Sequence, residues 1–137
     1  MNKSAKEIVR RFYLSDVLND ESVLDKYFHP DLELLWNSTN GLTIMNHKDL
    51  VNYFAEMRRT YDDLRVEVSH LLEDGDYVTV RYKYYIKTIE NPDEELGIAH
   101  FMAIWEVKDG KIYRGHQVSQ PVTENDDTKE SYHKVKV

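Results

Sequence analysis

The side chains in this sequence that can exchange a proton near neutral pH are six histidines, set among a surplus of carboxylates. His29 precedes a proline, His47 falls in the first turn of a helical pattern and His133 lies in the C-terminal stretch, so these three read as capping or solvated residues. His70 stands on the apolar side of an alternating segment, as a base reaching a cavity or as a satisfied core residue. His100 and His116 fall on two segments expected to pair, as diagonal neighbours on one face. With no His-x-His or His-x-x-x-His spacing, no metal and no cofactor are expected. Asp62-Asp63, Asp93-Glu94-Glu95 and Asp126-Asp127 sit in loop or tail clusters and read as solvated charge. Glu33, between Leu32 and Leu34, turns inward only if its strand shifts by one residue. Cysteine is absent, which excludes a thiolate nucleophile, disulfides and cysteine-ligated metals. There is no glycine-rich phosphate loop and no nucleophile elbow.

At 137 residues the chain fits one domain with a core of its own. Its 18 Lys and Arg against 25 Asp and Glu leave a net charge of −7, which argues against a nucleic-acid or anionic-membrane partner. Met1 to Glu7 runs into charged residues without an apolar core, unlike a secretory signal, and no apolar run has membrane-spanning length. A cytoplasmic protein is expected. Ten tyrosines against four phenylalanines is an unusual ratio, suited to a core that must also hydrogen-bond.

Ser4-x-x-Glu7 is a capping box, and Ile8, Val9, Phe12, Tyr13, Val17 and Leu18 follow at helical spacing, predicting a helix over 4–19. Asp20 caps a shorter helix that ends at His29-Pro30. Leu32 to Trp36 and Leu42 to Met45 form a strand pair around the Asn37–Gly41 loop. Asn46-x-x-Asp49 opens a third helix carrying Leu50, Val51, Phe54, Met57 and Tyr61. The period then changes to two, giving four strands in a meander turned at Asp74-Gly75 and Asp109-Gly110. For both turns a three-residue form with a left-handed glycine aligns the apolar sets. The prediction is an α+β domain over 4–121, followed by a polar, flexible tail over 122–137.

The last hairpin, Asp109-Gly110-Lys111-Ile112-x-x-x-x-Val118-x-Gln120-Pro121, resembles that of SnoaL-like polyketide cyclases. These belong to the superfamily of nuclear transport factor 2 and ketosteroid isomerase. The helix–helix–Pro30-Asp31 entry, the Gly41…Leu50…Phe54 third helix and the Asp74-Gly75-Asp76 hairpin fit the same pattern. The resemblance implies a cone: a curved, mostly antiparallel sheet of about six strands wrapped around three helices of the N-terminal half, with an apolar pocket at its open end.

The acids of that family are missing. Where it reads Glu-His-Trp-Asp, with the aspartate as acid/base, this chain has Arg114-Gly115-His116-Gln117. The base of the ketosteroid isomerase branch would fall in Trp36-Asn37-Ser38, and a third family acid near Ala103. Gln117 cannot take up a proton, so the candidates for catalysis are Gln117 by polar orientation or His70 as base. The inward set on the last two strands reads Ala99, Phe101, Ala103, Trp105 and Val107 beside Tyr113, Gly115, Gln117 and Ser119. Tyr13, Trp36, Asn37, Tyr82 and Tyr84 supply the other walls. Small residues at Ala99, Ala103 and Gly115 would leave volume for an uncharged, flat, hydrophobic ligand. The expected function is binding of such a molecule, with lyase or isomerase chemistry beside a carbonyl if the protein is catalytic. The competing expectation is a non-catalytic interaction module whose aromatics fill the core. On the outer sheet face, His100, Met102, Ile104, His116 and Val118 suggest a homodimer interface. If the faces were inverted, the two histidines would become a catalytic or metal pair.

Overall fold

A computed structural model of the chain describes residues 4–122, so most of the predicted tail lies outside the described residues. Helix α1 (Ala5–Leu14) starts where the capping box places it, with the Ser4 hydroxyl accepting from the Glu7 N–H. It stops five residues short of the prediction. Ser15 is extended, and its N–H and hydroxyl both turn back onto the Phe12 carbonyl. Val17 and Leu18 are still buried, in a turn closed by the Asp20 N–H on the Asp16 carbonyl.

Helix α2 (Ser22–Tyr27) follows, with the Asp20 carboxylate accepting from the Ser22 N–H and hydroxyl. Strand β1 (Phe28–Ser38) begins four residues earlier than predicted and carries Pro30, and β2 (Gly41–Met45) returns beside it. Helix α3 (His47–Thr60) has the full reciprocal capping box of Asn46 and Asp49. Four strands complete the chain: β3 (Tyr61–Asp74), β4 (Tyr77–Thr88), β5 (Glu95–Lys108) and β6 (Lys111–Pro121).

The six strands form one curved, unclosed sheet in the order β2-β1-β6-β5-β4-β3. Every pairing is antiparallel except β1 with β6. That parallel pair sets Trp36 beside Gln117. The core fills the space between the inner sheet face and the helices, with Val9, Leu18, Phe28, Val78, Val80 and Ile112 almost wholly enclosed.

Both later hairpins differ from the predicted turn. Gly75 (φ 61°) and Asp76 make a two-residue turn, and a bulge between Val68 and His70 then brings Val66 opposite Tyr84 and Leu64 opposite Ile86. Asp109 (φ 54°) and Gly110 (φ 75°) make another two-residue turn, in the left-handed conformation that a right-twisted hairpin favours. A bulge near Tyr113 follows. The apolar sets align as predicted in β3 and β4, and a bulge rather than a longer turn takes up the odd residue.

Candidate functional site

The inner face gathers its polar groups into one buried chain. Trp105 Nε1–H donates to the Tyr13 hydroxyl at 2.9 Å. Tyr13 is hydrogen-bonded to Tyr82, and the Tyr82 hydroxyl donates to Gln117 Oε1 at 2.5 Å. Because the Tyr82 proton is committed to Gln117, the Tyr13 proton points to the Tyr82 oxygen, and all donors run one way. Ala103 makes the last link possible. It stands opposite Gln117 on β6 and Val80 on β4, and its methyl lets the Tyr82 phenol cross to the glutamine.

Around this chain the rings pack edge to face, tilted or stacked. Tyr82 stacks on Phe101 with centroids 4.8 Å apart, and Tyr84 leans on Phe101 at 4.6 Å. Trp36 and Tyr53, both half-buried, meet edge to face at 5.5 Å on the open side of the cone. The indole of Trp36 donates to Ser119 Oγ at 2.8 Å. The enclosed cavity is small, about 30 Å³, and counts as about 380 Å³ only with its solvent-open mouth included. The enclosed part holds a water or two, well below the few hundred Å³ of an ordinary ligand pocket.

Burial fixes the chemistry of these phenols. It pushes Tyr82 and Tyr84 well above the ordinary tyrosine range, and their neighbouring tyrosines add to the rise. Burial raises Tyr13 strongly as well, against the lowering effect of its bonds to Tyr82 and Trp105. Tyr53 is pushed up to about 12, by burial first and Tyr61 second. All four remain neutral hydroxyls near pH 7. They can donate to a carbonyl oxygen or brace a developing oxyanion, but they cannot remove a proton from carbon.

Of the predicted site residues, Tyr13, Trp36, Tyr82, Tyr84, Phe101, Trp105 and Gln117 line the cavity together. Ser119 stands behind Trp36 as its hydrogen-bond acceptor. Three others are elsewhere. Asn37, opposite Val118, faces outward and is exposed, because it alternates with the inward Trp36. Tyr113 is diverted by the bulge beside it and meets His29 edge to face at 5.1 Å, with the Lys108 ammonium 4.7 Å from its ring centre. His70, past the bulge in β3, pairs with Arg81 on the outer face and bonds Ser69 Oγ at 3.0 Å, so it does not reach the cavity.

Gly115 does not leave a void. A Cβ there would run into the Trp105 ring and come within 3.1 Å of Leu34 Cδ1, so the indole already occupies the space that the glycine makes. Glu33 is exposed opposite Arg114, between buried Leu32 and Leu34, so its strand is not shifted. His100 and His116 are farther apart than predicted. His116 lies opposite Ile104 and His100 opposite Gln120, with the Met102–Val118 pair between them. Both are on the outer face, and among the described residues no three His, Asp or Glu side chains come together as a metal site.

Leu50, Tyr53 and Phe54 of α3, Phe12 of α1, Phe28 and Leu34 of β1, and Met45 of β2 complete the lining. Tyr53 was readable from spacing, since 50, 53, 54 and 57 form one helical stripe. Val51, assigned to that stripe from sequence, is instead 39 % exposed.

The arrangement defines a class: an α+β cone with a tyrosine-rich interior that, among the described residues, is lined by no carboxylate. The SnoaL-like domain family matches residues 9–115, and the chain belongs to that family. Among solved structures it is similar to wild-type IdmH of Streptomyces antibioticus, proposed to be a polyketide cyclase. Identity there is 15 %, over 85 % of this chain and 92 % of that one, at a TM-score of 0.70. It is also similar to TerC co-crystallised with polyporic acid (18 % identity, 96 % and 98 % coverage, TM-score 0.61). A third likeness is to an epoxide hydrolase of M. tuberculosis (16 % identity, 84 % and 81 % coverage, TM-score 0.65). At these identities the likeness is one of fold. No curated protein matches the sequence. Among the described residues no helix is long and apolar enough to cross a membrane.

Proposed function

We propose that the cone binds a small, flat, uncharged molecule carrying a carbonyl or hydroxyl oxygen, which Tyr82 and Gln117 orient at its inner end. The observation that carries this reading is the hydrogen-bonded chain Trp105–Tyr13–Tyr82–Gln117 exposed to an aromatic cavity. The amide of Gln117 offers an acceptor oxygen and a donor N–H₂, so it can turn to match a ligand oxygen. Trp36 and Tyr53 form the rim that moves to admit the molecule, since the closed cavity is too small for it. TerC, of the same fold, was co-crystallised with polyporic acid, and neighbours named as a cyclase and an epoxide hydrolase support a small organic ligand. Any lyase or isomerase step beside the carbonyl would pass the carbon proton to a water or to a basic group of the ligand itself, because the phenols only donate and His70 lies on the outer face. The phenol donors would stabilise charge on the carbonyl oxygen.

The test follows Trp36 and Trp105 fluorescence and the melting temperature while steroids, aromatic polyketides and cyclic ketones are titrated. Saturable quenching with thermal stabilisation is the expected result for at least one flat aromatic carbonyl compound. A flat response across the panel counts against the reading and favours a second one. In that second reading the protein is an interaction module acting through its outer face, as a homodimer in the first instance. The nearly filled cone, together with exposed Met102, Ile104 and Val118 on the outer face, favours it.

A further inference from the structure

The four tyrosines that line the cavity do not use their hydroxyls alike. Those of Tyr13 and Tyr82 are committed to the chain that ends at Gln117. Those of Tyr53 and Tyr84 have no hydrogen-bond partner among the described residues. Tyr84 is buried and Tyr53 half-buried, yet neither oxygen is sealed off from the cavity. A run of ring contacts joins the two: Tyr53 to Trp36 at 5.5 Å, Trp36 to Phe101 at 6.1 Å and Phe101 to Tyr84 at 4.6 Å. Burial and then Tyr53 raise the Tyr84 phenol, so the pair lies within electrostatic reach.

Tyr84 also sets a length. It follows Tyr82 on the inner face of β4, one strand repeat of about 7 Å further along. Their ring centres are 5.6 Å apart. That is comparable with the span between oxygens on opposite edges of one six-membered ring. Among the described residues no lysine, arginine or histidine lines the cavity, so a second ligand oxygen there would be a neutral one.

Two unpaired phenols make such a cavity selective. A ligand that enters strips water from both hydroxyls. If its end there is apolar, the hydroxyls stay unpaired, and each such loss is worth about tenfold in affinity. If it carries a carbonyl or hydroxyl oxygen, both phenols can donate to it. Groups of this kind reject an analogue lacking the oxygen far more strongly than an apolar wall rejects a missing methylene.

We propose that Tyr53 and Tyr84 form a second polar subsite, which selects flat fused-ring compounds with two neutral oxygens on opposite edges of one ring. One oxygen meets Tyr82 and Gln117, and the other meets the Tyr53–Tyr84 pair. The inference rests on the cone reading and adds a requirement on the ligand that the cone alone does not make.

The experiment titrates 1-tetralone and 4-hydroxy-1-tetralone, which differ only in the second oxygen, against tryptophan fluorescence. The unmodified chain is expected to bind the hydroxylated compound at least about tenfold more tightly. In Tyr53→Phe/Tyr84→Phe, which removes no hydrogen bond among the described residues, that preference should fall to about twofold or less. The melting temperature without ligand checks that the variant is folded. Equal affinity for the two compounds in the unmodified chain overturns the inference, needs no variant, and leaves the cone reading standing. A preference that survives in the folded variant also overturns it, because another group then reads the second oxygen. Binding of neither compound counts against the cone reading and overturns this inference with it.

Discussion

The two faces of one sheet solve opposite problems with alternate residues of the same strands. On β4 the inward residues Val80, Tyr82, Tyr84 and Ile86 are buried and carry no charge, while the outward ones are Arg81, Lys83, Tyr85 and Lys87. Inside, polarity is supplied by neutral hydroxyls and one amide, tied in series from Trp105 to Gln117. Outside, it is supplied by full charges near the β3 end, where Arg65 makes a bidentate pair with Glu95 and lies 4.0 Å from the Tyr85 ring centre. Toward β5 and β6 the outer face turns apolar and open at Met102, Ile104 and Val118. The difference teaches that this cone's lining, among the described residues, is polar without ionisable acids. Neutral donors cost less to bury than a carboxylate, and they do not titrate near pH 7.

The comparison breaks most readily at Gly115. A Gly115→Val chain has no room beside Trp105 and Leu34, and a loss of about 3 kcal/mol or more is expected in denaturant unfolding. Next comes the buried phenol. Tyr82→Phe leaves Gln117 Oε1 without its donor and should cost about 1–3 kcal/mol, whereas Tyr82→Phe with Gln117→Leu should recover part of that loss. A double-mutant cycle measures the coupling.

Alkaline titration sharpens the contrast without mutation. Burial raises Tyr13, Tyr53, Tyr82 and Tyr84 in the folded state, so above pH 10 the unfolded chain ionises first. The stabilisation is complete below pH 10 and is lost as pH rises, with Tyr53 contributing between about 10 and about 12. Each such tyrosine should remove about 1.4 kcal/mol per pH unit, and Tyr84→Phe should flatten the slope. The smallest effect belongs outside. Met102→Glu, at an exposed position, should change monomer stability by no more than about 0.5 kcal/mol while weakening any self-association seen by sedimentation.

Helix starts and strand alternation were legible because the rules behind them are local: Ser4 with Glu7, Asn46 with Asp49, and Tyr82 with Tyr84 each announce their element. The seven lining residues that came together lie on long, regular stretches. The three that did not, Asn37, Tyr113 and His70, each sit at an end or a bulge. At Tyr113 and His70 one extra residue flips the face, and nothing in the local sequence marks the flip; Asn37 faces out by plain alternation with Trp36, which the sequence did show. Gly115 misled for a different reason. A small residue reads as a void in sequence, yet the ring that fills it comes from the neighbouring strand.

The claim that the inner face, and Tyr82 in particular, receives a ligand is tested most directly by titrating one aromatic carbonyl compound in parallel. The chain, Tyr82→Phe and Met102→Glu would each be followed by tryptophan fluorescence. The account predicts saturable quenching in the chain and in Met102→Glu at equal affinity, with affinity about tenfold weaker in Tyr82→Phe, the value of one hydrogen bond to a buried oxygen. Equal affinity in Tyr82→Phe, or loss only in Met102→Glu, would contradict it.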